Sequence, residues 1–518
     1  MSDETTELEL RPDIYIGLVG GAGTDLGPFK DQLKAQLASV DYTFSEIKVS
    51  RLIQSLCEID TSGLPEDQRI TQLMNGGDEI RRAAGRGDGV IALAVNEIRV
   101  LRRGQNTDIP DLVGSQAYVI DSLKNPAEVQ TLKQIYGSNF HVVSVYSPRA
   151  DRTSRLAKAI AKSCNRSVSK EIKARANAVI DEDERRDGTE LSQDVRGTFP
   201  LADLFVSHED SIEGQAKRFV ELIFGEPFAT PTLPEYLMYV ATAAALRSCD
   251  LSRQVGAVIA DDGGSIIATG CNDVPYPGGG IYFEGRPGAA DNRDHKVEYD
   301  SNALEIQNSV REIVEAFKAA GILSEEALTQ YDDLTTELMH GDLKEHLLDA
   351  RVKNLLEFGR VVHAEMNAIA EAARLGRSVQ GATLYCTTFP CHICARHIIA
   401  AGLGTVVFIE PYPKSMTKAL YDAEIRADET SGALAGAVHF KPFTGISPPL
   451  YPRVFQYRPR KNKSGTIVQW SRSKAIPTGA DFGVKDATLE EYYSARVDEI
   501  QVMIQNSKQS QTGGGDNG

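Results

Sequence analysis

Unbroken apolar runs punctuate the first third of the chain. Ile14–Val19, Gly89–Val95 and His141–Tyr146 carry few polar positions, and such runs read as strands buried on both faces, the habit of parallel sheets. The first opens onto Gly20-Gly21-Ala22-Gly23-Thr24, and a helix is predicted from Leu26 to about Leu37. Strand, glycine-rich turn and helix bring backbone N–H groups and a helix N-terminus to one point, a layout suited to phosphate. After the third run, Arg152 and Arg155 stand at the opening of another predicted helix. The charge-dense stretch Asp181 to Asp187 reads as a solvated loop or helix face.

Pro227 to Pro234 holds three prolines in eight residues, so no helix continues through it. Beyond it a helix is expected from Pro234 to about Ser248. Gln254–Ala260 and Ser265–Cys271 follow as a hairpin around Asp261-Asp262-Gly263-Gly264. Residues 276–360 form an insertion, opened by Gly278-Gly279-Gly280, with helical stretches near Asn302–Ala320 and Ser324–Phe358. The pattern then gives a helix Ala364–Arg374, a strand Ala382–Thr388, a helix from Pro390, a strand Thr405–Glu410, a helix Lys414–Ile425, a strand Ala437–Phe440 and a last helix Asp486–Ile504.

The fold class expected is α/β. Residues 1–12 form a disordered lead, 13–226 a parallel sheet with helices on both faces, and 227–234 a linker. Residues 235–440 form an α/β/α sandwich, 441–505 an extension ending in a helix, and 506–518 a disordered tail.

Composition narrows the function. A net charge of −16 argues against a surface that coats nucleic acid generally. No apolar opening run or membrane span is visible, leaving the cytoplasm as the expected location. Seven cysteines, scattered except for Cys391 and Cys394, fit a reducing compartment with one metal site. Residues 441–480 lack acidic side chains and interleave Lys441, Arg453, Arg458, Arg460, Lys461 and Arg472 with Tyr451, Tyr457 and Trp470. Docking on an acidic body and contact with nucleic acid both fit that stretch.

The chemistry is concentrated between His363 and Cys394. His363-Ala364-Glu365 is followed by Pro390-Cys391-His392-Ile393-Cys394. One imidazole and two thiolates fill three corners of a tetrahedral Zn2+ site and leave the fourth to water. Glu365, two residues from the histidine, is placed to move that water's protons. Both sulfurs fall on the first turn of one helix, whose N-terminus favours thiolate. A closed structural zinc needs a fourth protein ligand, and Cys386 and His392 are both poorly placed to be one. His295, His340 and His346 lie apart in the insertion, where a second metal site is conceivable.

His363-Ala364-Glu365 with Pro390-Cys391-x-x-Cys394 resembles the cytidine and deoxycytidylate deaminase superfamily. Arg247 to Ala257 and Gly270-Cys271-Asn272-Asp273-Val274-Pro275 resemble its deoxycytidylate members, although Cys271 and Asp273 depart from the pattern. By that resemblance Glu365 is the catalytic proton carrier, with His363, Cys391 and Cys394 holding zinc. Asn272 would bond the sugar or base, the Ala364 backbone would read the base carbonyl, and Tyr412 would lie near the 5′-phosphate. Ser248 and Arg253 are further candidates for phosphate contact.

The N-terminal layout resembles P-loop nucleoside and nucleotide kinases, with Gly20, Gly23, Thr24, Arg152 and Arg155 as candidate nucleotide contacts. The phosphate-loop lysine is missing: Leu26 or Gly23 stands in its place, depending on which glycine starts the motif. With that lysine absent, nucleotide sensing without catalysis, or a fold kept for assembly or regulation, is favoured over active phosphoryl transfer, which stays open. The combination resembles bacterial antiphage dCTP/dCMP deaminases. That resemblance implies a free deoxycytidine nucleotide as substrate, depletion of dCTP and, in some members, an inhibitory small RNA; a homo-oligomer is expected besides. A housekeeping dCMP deaminase supplying dUMP, and a nucleotide-sensing regulator with a structural zinc, stay open.

Overall fold

The computed structural model describes residues 11–105, 115–184, 191–285, 290–331, 333–347, 350–409, 416–427, 434–481 and 483–512. The chain divides into two compact units. The first comprises residues 1–239, 409–414 and 442–518, the second 240–408 and 415–441. Strands in chain order are β1 (Ile14–Val19), β2 (Thr43–Lys48), β3 (Gln116–Asp121), β4 (Phe140–Tyr146), β5 (Leu204–Ser207), β6 (Gly256–Ala260), β7 (Ile266–Cys271), β8 (Thr383–Cys386), β9 (Thr405–Phe408), β10 (Ile425–Arg426), β11 (Val438–Pro442) and β12 (Gly445–Ile446).

The first unit is built on a sheet of order β12-β5-β4-β1-β3-β2, parallel except for β12. Strand alternation sends Ile14, Ile16 and Leu18 to one face. There they meet Phe29, Leu33 and Leu37 of helix Gly27–Ala38 and Phe219, Val220 and Ile223 of helix Ile212–Ile223. Each such side chain contributes about 1.5–3 kcal/mol on full burial. On the opposite face Tyr15 stacks on Tyr136, with ring centroids 3.7 Å apart. The Tyr15 hydroxyl accepts a hydrogen bond from Arg102 Nη2 at 2.9 Å. Helices therefore cover both faces, as the buried strand pattern requires.

Gly89–Val95 is not a strand. Ile91 begins a helix running to Gln105; Ile91–Val95 are buried all round, and the helical period shows only beyond them, where Ile98 and Arg102 are buried and Val100 is exposed. A short apolar run has no period of its own, so it fits a buried helix turn as well as a strand. In the charge-dense stretch Asp181 and Glu182 are exposed on helix Lys170–Glu184, as a solvated helix face requires, whereas Asp183 is 1% exposed; residues 185–190 lie outside the described residues.

The basic 442–480 segment docks on its own unit. β12 pairs antiparallel with β5, Ile446 joins the core, and Arg472 pairs with Glu221. Arg460 Nε donates to the Pro227 carbonyl at 2.6 Å and Trp470 Nε1 to the Phe224 carbonyl at 3.2 Å. The last helix, Ala487–Thr512, extends into the stretch expected to be disordered. Its Glu490 carboxylate, buried, accepts from Arg102 and from the Tyr136 hydroxyl.

The second unit has a sheet of order β10-β11-β9-β8-β6-β7, in which β6 runs antiparallel to both β7 and β8. Two glycines let helices lie directly on it. A Cβ on Gly256 would come within 1.8 Å of the Ala241 carbonyl oxygen on one face; one on Gly270 would come within 2.2 Å of the Ala364 carbonyl oxygen on the other. Helices thus sandwich this sheet too.

Between β7 and His363 the insertion folds around its own small core of Ile306, Val310 and Met339. The helix expected at 324–358 is broken into Glu325–Gln330, Leu334–Met339 and two 3-10 turns. Asp333 caps a new helix start by accepting from Thr335 N at 3.0 Å. Of the helix expected at 414–425, Thr417–Leu420 is helical among the described residues. No helix among the described residues is long and apolar enough to cross a membrane.

Candidate active site

His363 is the N-cap of helix Ala364–Arg374, and Cys391 is the N-cap of helix His392–Ala400. β8 lies between them in sequence, and both helices pack on the same face of the sheet through Ala364, Ala368, Cys394 and Ile398. Two helix N-termini therefore meet at one point, each directing partial positive charge there. The Pro390 carbonyl, just ahead of Cys391, accepts from the buried Thr417 hydroxyl at 3.0 Å, which holds that turn in place.

The imidazole Nδ1 of His363 lies 3.3 Å from Cys391 Sγ and 3.3 Å from Cys394 Sγ. Among the described residues this is the one group of three or more His, Cys, Asp or Glu ligand atoms gathered within 4.8 Å of one another. Glu365 is 3% exposed, and its Oε2 lies 3.4 Å from Cys394 Sγ, beside the group but outside it. One nitrogen, two sulfurs and, among the described residues, no fourth side chain make the donor set of an open zinc site. Zn2+ fits these residues.

A hydrogen bond from Cys394, opposed by burial and aided by His363, brings the Cys391 thiol down to about 4. The same sharing pushes the Cys394 thiol up. Burial, reinforced by the Cys391 charge, pushes the Glu365 carboxyl up from its ordinary range. A carboxyl raised in this way gives up its proton less readily than an exposed one and so is better suited to both taking and giving it.

A cavity of about 210 Å³ opens over this group, with His363, Ala364, Glu365 and Cys391 in its wall. Of the residues proposed from sequence, Asn272 and Arg253 also line it. Asn272 is committed locally: its Oδ1 accepts from Val255 N at 2.6 Å and its Nδ2 donates to the Arg253 carbonyl at 2.8 Å. It holds the 253–255 strand entry against the pocket. Ser248 does not line the cavity; its hydroxyl accepts from Asp250 N at 3.2 Å and shapes the preceding turn. Tyr412 lies outside the described residues.

Sequence reasoning missed Phe389 and Thr388, which line the cavity just before Pro390, although their adjacency to the cysteines was a usable signal. It also missed the insertion's share of the wall: Asp294, Asp300, Asn302 and Arg360. Arg360 Nη1 pairs with Asp294 Oδ1 at 2.9 Å, and Asp300 caps helix Ser301–Ala319. His295, in the insertion, lies 3.8 Å from Asp291, with which it pairs if protonated.

In the first unit, Arg155 Nη1 donates to the Gly23 carbonyl at 2.7 Å, and Arg152 pairs with Glu184 and reaches the Ala22 carbonyl at 3.5 Å. Both arginines are directed at the glycine turn itself. Gly20, Gly23 and Thr24 line a separate cavity of about 470 Å³.

Residues 231–410 match the family model described as the cytidine and deoxycytidylate deaminase zinc-binding region. A stretch of 54 residues is 48% identical to the deoxycytidylate deaminase of Enterobacteria phage T2, covering 10% of this chain and 29% of that protein. The mouse deoxycytidylate deaminase is 27% identical over 216 residues, 41% of this chain and 79% of that protein. The apo dCMP deaminase of cyanophage S-TIM5 aligns in structure with a TM-score of 0.22 and 18% identity, over 42% of this chain and 100% of that one. The family match over residues 231–410, with His363, Cys391 and Cys394 gathered inside it, supports a zinc-binding domain of the cytidine and deoxycytidylate deaminase type there. Its likeness is to deoxycytidylate deaminases in particular, and the chain spans about 29% of the length of the phage T2 relative.

Proposed function

We propose that this protein is a zinc-dependent hydrolytic deaminase of deoxycytidine nucleotides. The observation that carries the reading is the buried Glu365 beside a three-ligand metal group at the base of a cavity. Zinc held by His363, Cys391 and Cys394 supplies a Lewis acid that makes water nucleophilic near neutral pH. Glu365 accepts the proton of the attacking water and passes it to ring N3 as the oxygen bonds to C4. It then carries the second proton to the departing amino group; the C4–N bond breaks, ammonia leaves and the 4-oxo base remains. Each such transfer by a positioned carboxyl contributes roughly 10²–10⁴ in rate. The Ala364 backbone and Phe389 orient the base, while Asn272 holds the wall that faces the sugar.

We further propose dCMP, dCTP or both as substrate, acting in the cytoplasm to drain the dCTP pool in defence against phage. Support for this finer reading is the resemblance of the two-unit layout, together with the similarity to deoxycytidylate deaminases. A homo-oligomer and an inhibitory small RNA belong to the same proposal. The experiment is to compare turnover of dCMP, dCTP and a cytosine-containing single-stranded oligonucleotide by purified zinc-loaded protein. The account expects ammonia release from the free nucleotides; release from the oligonucleotide alone would remove it.

A further inference from the structure

The larger cavity of the first unit lies outside the carboxyl ends of β1, β2 and β3. β1 is flanked by β4 on one side and β3 on the other, so the strand order reverses there. Crevices at such reversals are the usual ligand sites of parallel α/β sheets. The cavity measures about 470 Å³, within the range of small-molecule pockets. One wall is apolar, made by Ile53, Ile70, Leu73, Met74 and Val90; the other is the glycine turn Gly20–Thr24 with Lys124.

The anion position of that turn is already filled. Asp183 Oδ2 accepts from the Ala22 backbone N–H at 2.6 Å, and its Oδ1 accepts from Lys124 Nζ at 2.9 Å. Lys124 also donates to the Gly20 carbonyl at 3.0 Å. The other cations around the cavity are likewise engaged. Arg81 bonds Glu128 at 2.8 Å and Asp78 at 2.9 Å, and Arg69 bonds Glu66 at 2.7 Å. Among the described residues lining the cavity, Lys48 is the one cation without an ion-pair partner. A triphosphate placed here would meet a buried carboxylate with little free positive charge to offset its own, and charge left uncompensated on burial is strongly disfavoured. Meanwhile the Thr24 hydroxyl, on the wall, is buried without a hydrogen-bond partner among the described residues.

We propose that this cavity binds an uncharged ligand of nucleoside size, with the Asp183 carboxylate occupying the place that the glycine turn and Lys124 create for a phosphate. The ring lies on the apolar wall, and a hydroxyl or ring-edge group pairs with Thr24. The inference is independent of the deaminase reading, because none of these residues belongs to the zinc unit.

The test is calorimetric titration of the full zinc-loaded chain with thymidine, deoxyadenosine and deoxyguanosine, each beside its own 5′-triphosphate. These bases carry no cytosine amino group and so do not report on turnover. The expected result is that at least one nucleoside binds tenfold or more tightly than its triphosphate. Gly77→Met should abolish that binding: a Cβ there meets its neighbours at ordinary contact distances of 3.5 and 3.6 Å, so the longer side chain reaches into the cavity without breaking the helix. Thr24→Val, nearly equal in shape, should weaken binding, and Asp183→Asn should shift the preference toward triphosphates by at least tenfold. Triphosphate binding to the unaltered chain as tightly as nucleoside, saturation by no nucleoside, or unchanged binding in Gly77→Met would each overturn the proposal. If Asp183→Asn does not fold, the nucleoside-to-triphosphate ratio of the unaltered chain still decides it.

Discussion

Gly270 on β7 lies directly beneath Ala364, so closely that a Cβ added to it would stand 2.2 Å from the Ala364 carbonyl oxygen and 2.5 Å from Ala368 N. Ala364 is the first residue of the helix that carries Glu365 and follows His363. The depth at which the metal-binding histidine sits is therefore set by the absence of a side chain on a neighbouring strand.

Gly270→Ala should lift that helix and move His363 away from Cys391 and Cys394. Overpacking of this kind costs about 1–3 kcal/mol, and because the contact is with backbone atoms the upper part of that range is expected. Zinc per chain, measured by atomic absorption, should fall together with the melting temperature. Full zinc occupancy and unchanged melting would show that the helix is free to adjust.

Asn272→Ala removes the acceptor of the Val255 N–H and the donor to the Arg253 carbonyl. A buried backbone group left unpaired costs about 1–3 kcal/mol. Since Arg253 and Val255 both line the cavity, the loss should appear as a raised KM for nucleotide with zinc retained. A change in kcat alone, with KM constant, would argue against a positioning role.

Asp13 offers a pH-dependent test of the first unit. Burial, partly offset by a hydrogen bond from Gln116 N and by the Arg102 charge, raises its carboxyl from 3.8 to about 7. The folded chain thus holds a proton there that the unfolded chain releases near pH 4. The resulting stabilisation is complete below that pH and is lost as pH rises through about 7. Asp13→Asn keeps a neutral group at every pH. Relative to the unaltered chain it should therefore gain stability between pH 4 and 8, on the order of 2–4 kcal/mol by linkage. Urea unfolding at several pH values measures this; parallel curves for the two proteins would contradict it.

How far these features could be read in advance depends on how local their causes are. His363, Glu365, Cys391 and Cys394 were legible because each needs only a helix start and a short strand between them. The remaining wall was not: Asp294, Asp300 and Arg360 reach the cavity through an insertion whose path no period in the sequence describes. β2, Thr43-Phe44-Ser45-Glu46-Ile47-Lys48, lies at the edge of the sheet and is largely open to solvent, so it lacks the apolar run that marked β1 and β4. The two-residue β12 pairs with a strand more than two hundred positions earlier, beyond any local signal. Asp183 was hidden by its charged neighbours, because burial of a carboxylate depends on partners such as Lys124 and Ala22 N that only the fold supplies.

The most direct test of the whole account is Glu365→Gln, assayed for ammonia release from dCMP and dCTP alongside zinc content and melting temperature. Removal of a positioned proton carrier should lower turnover by roughly 10²–10⁴ while one zinc per chain and the melting temperature stay as they were. Turnover within a few-fold of the unaltered protein, or loss of zinc with the substitution, would contradict the role assigned to this carboxyl.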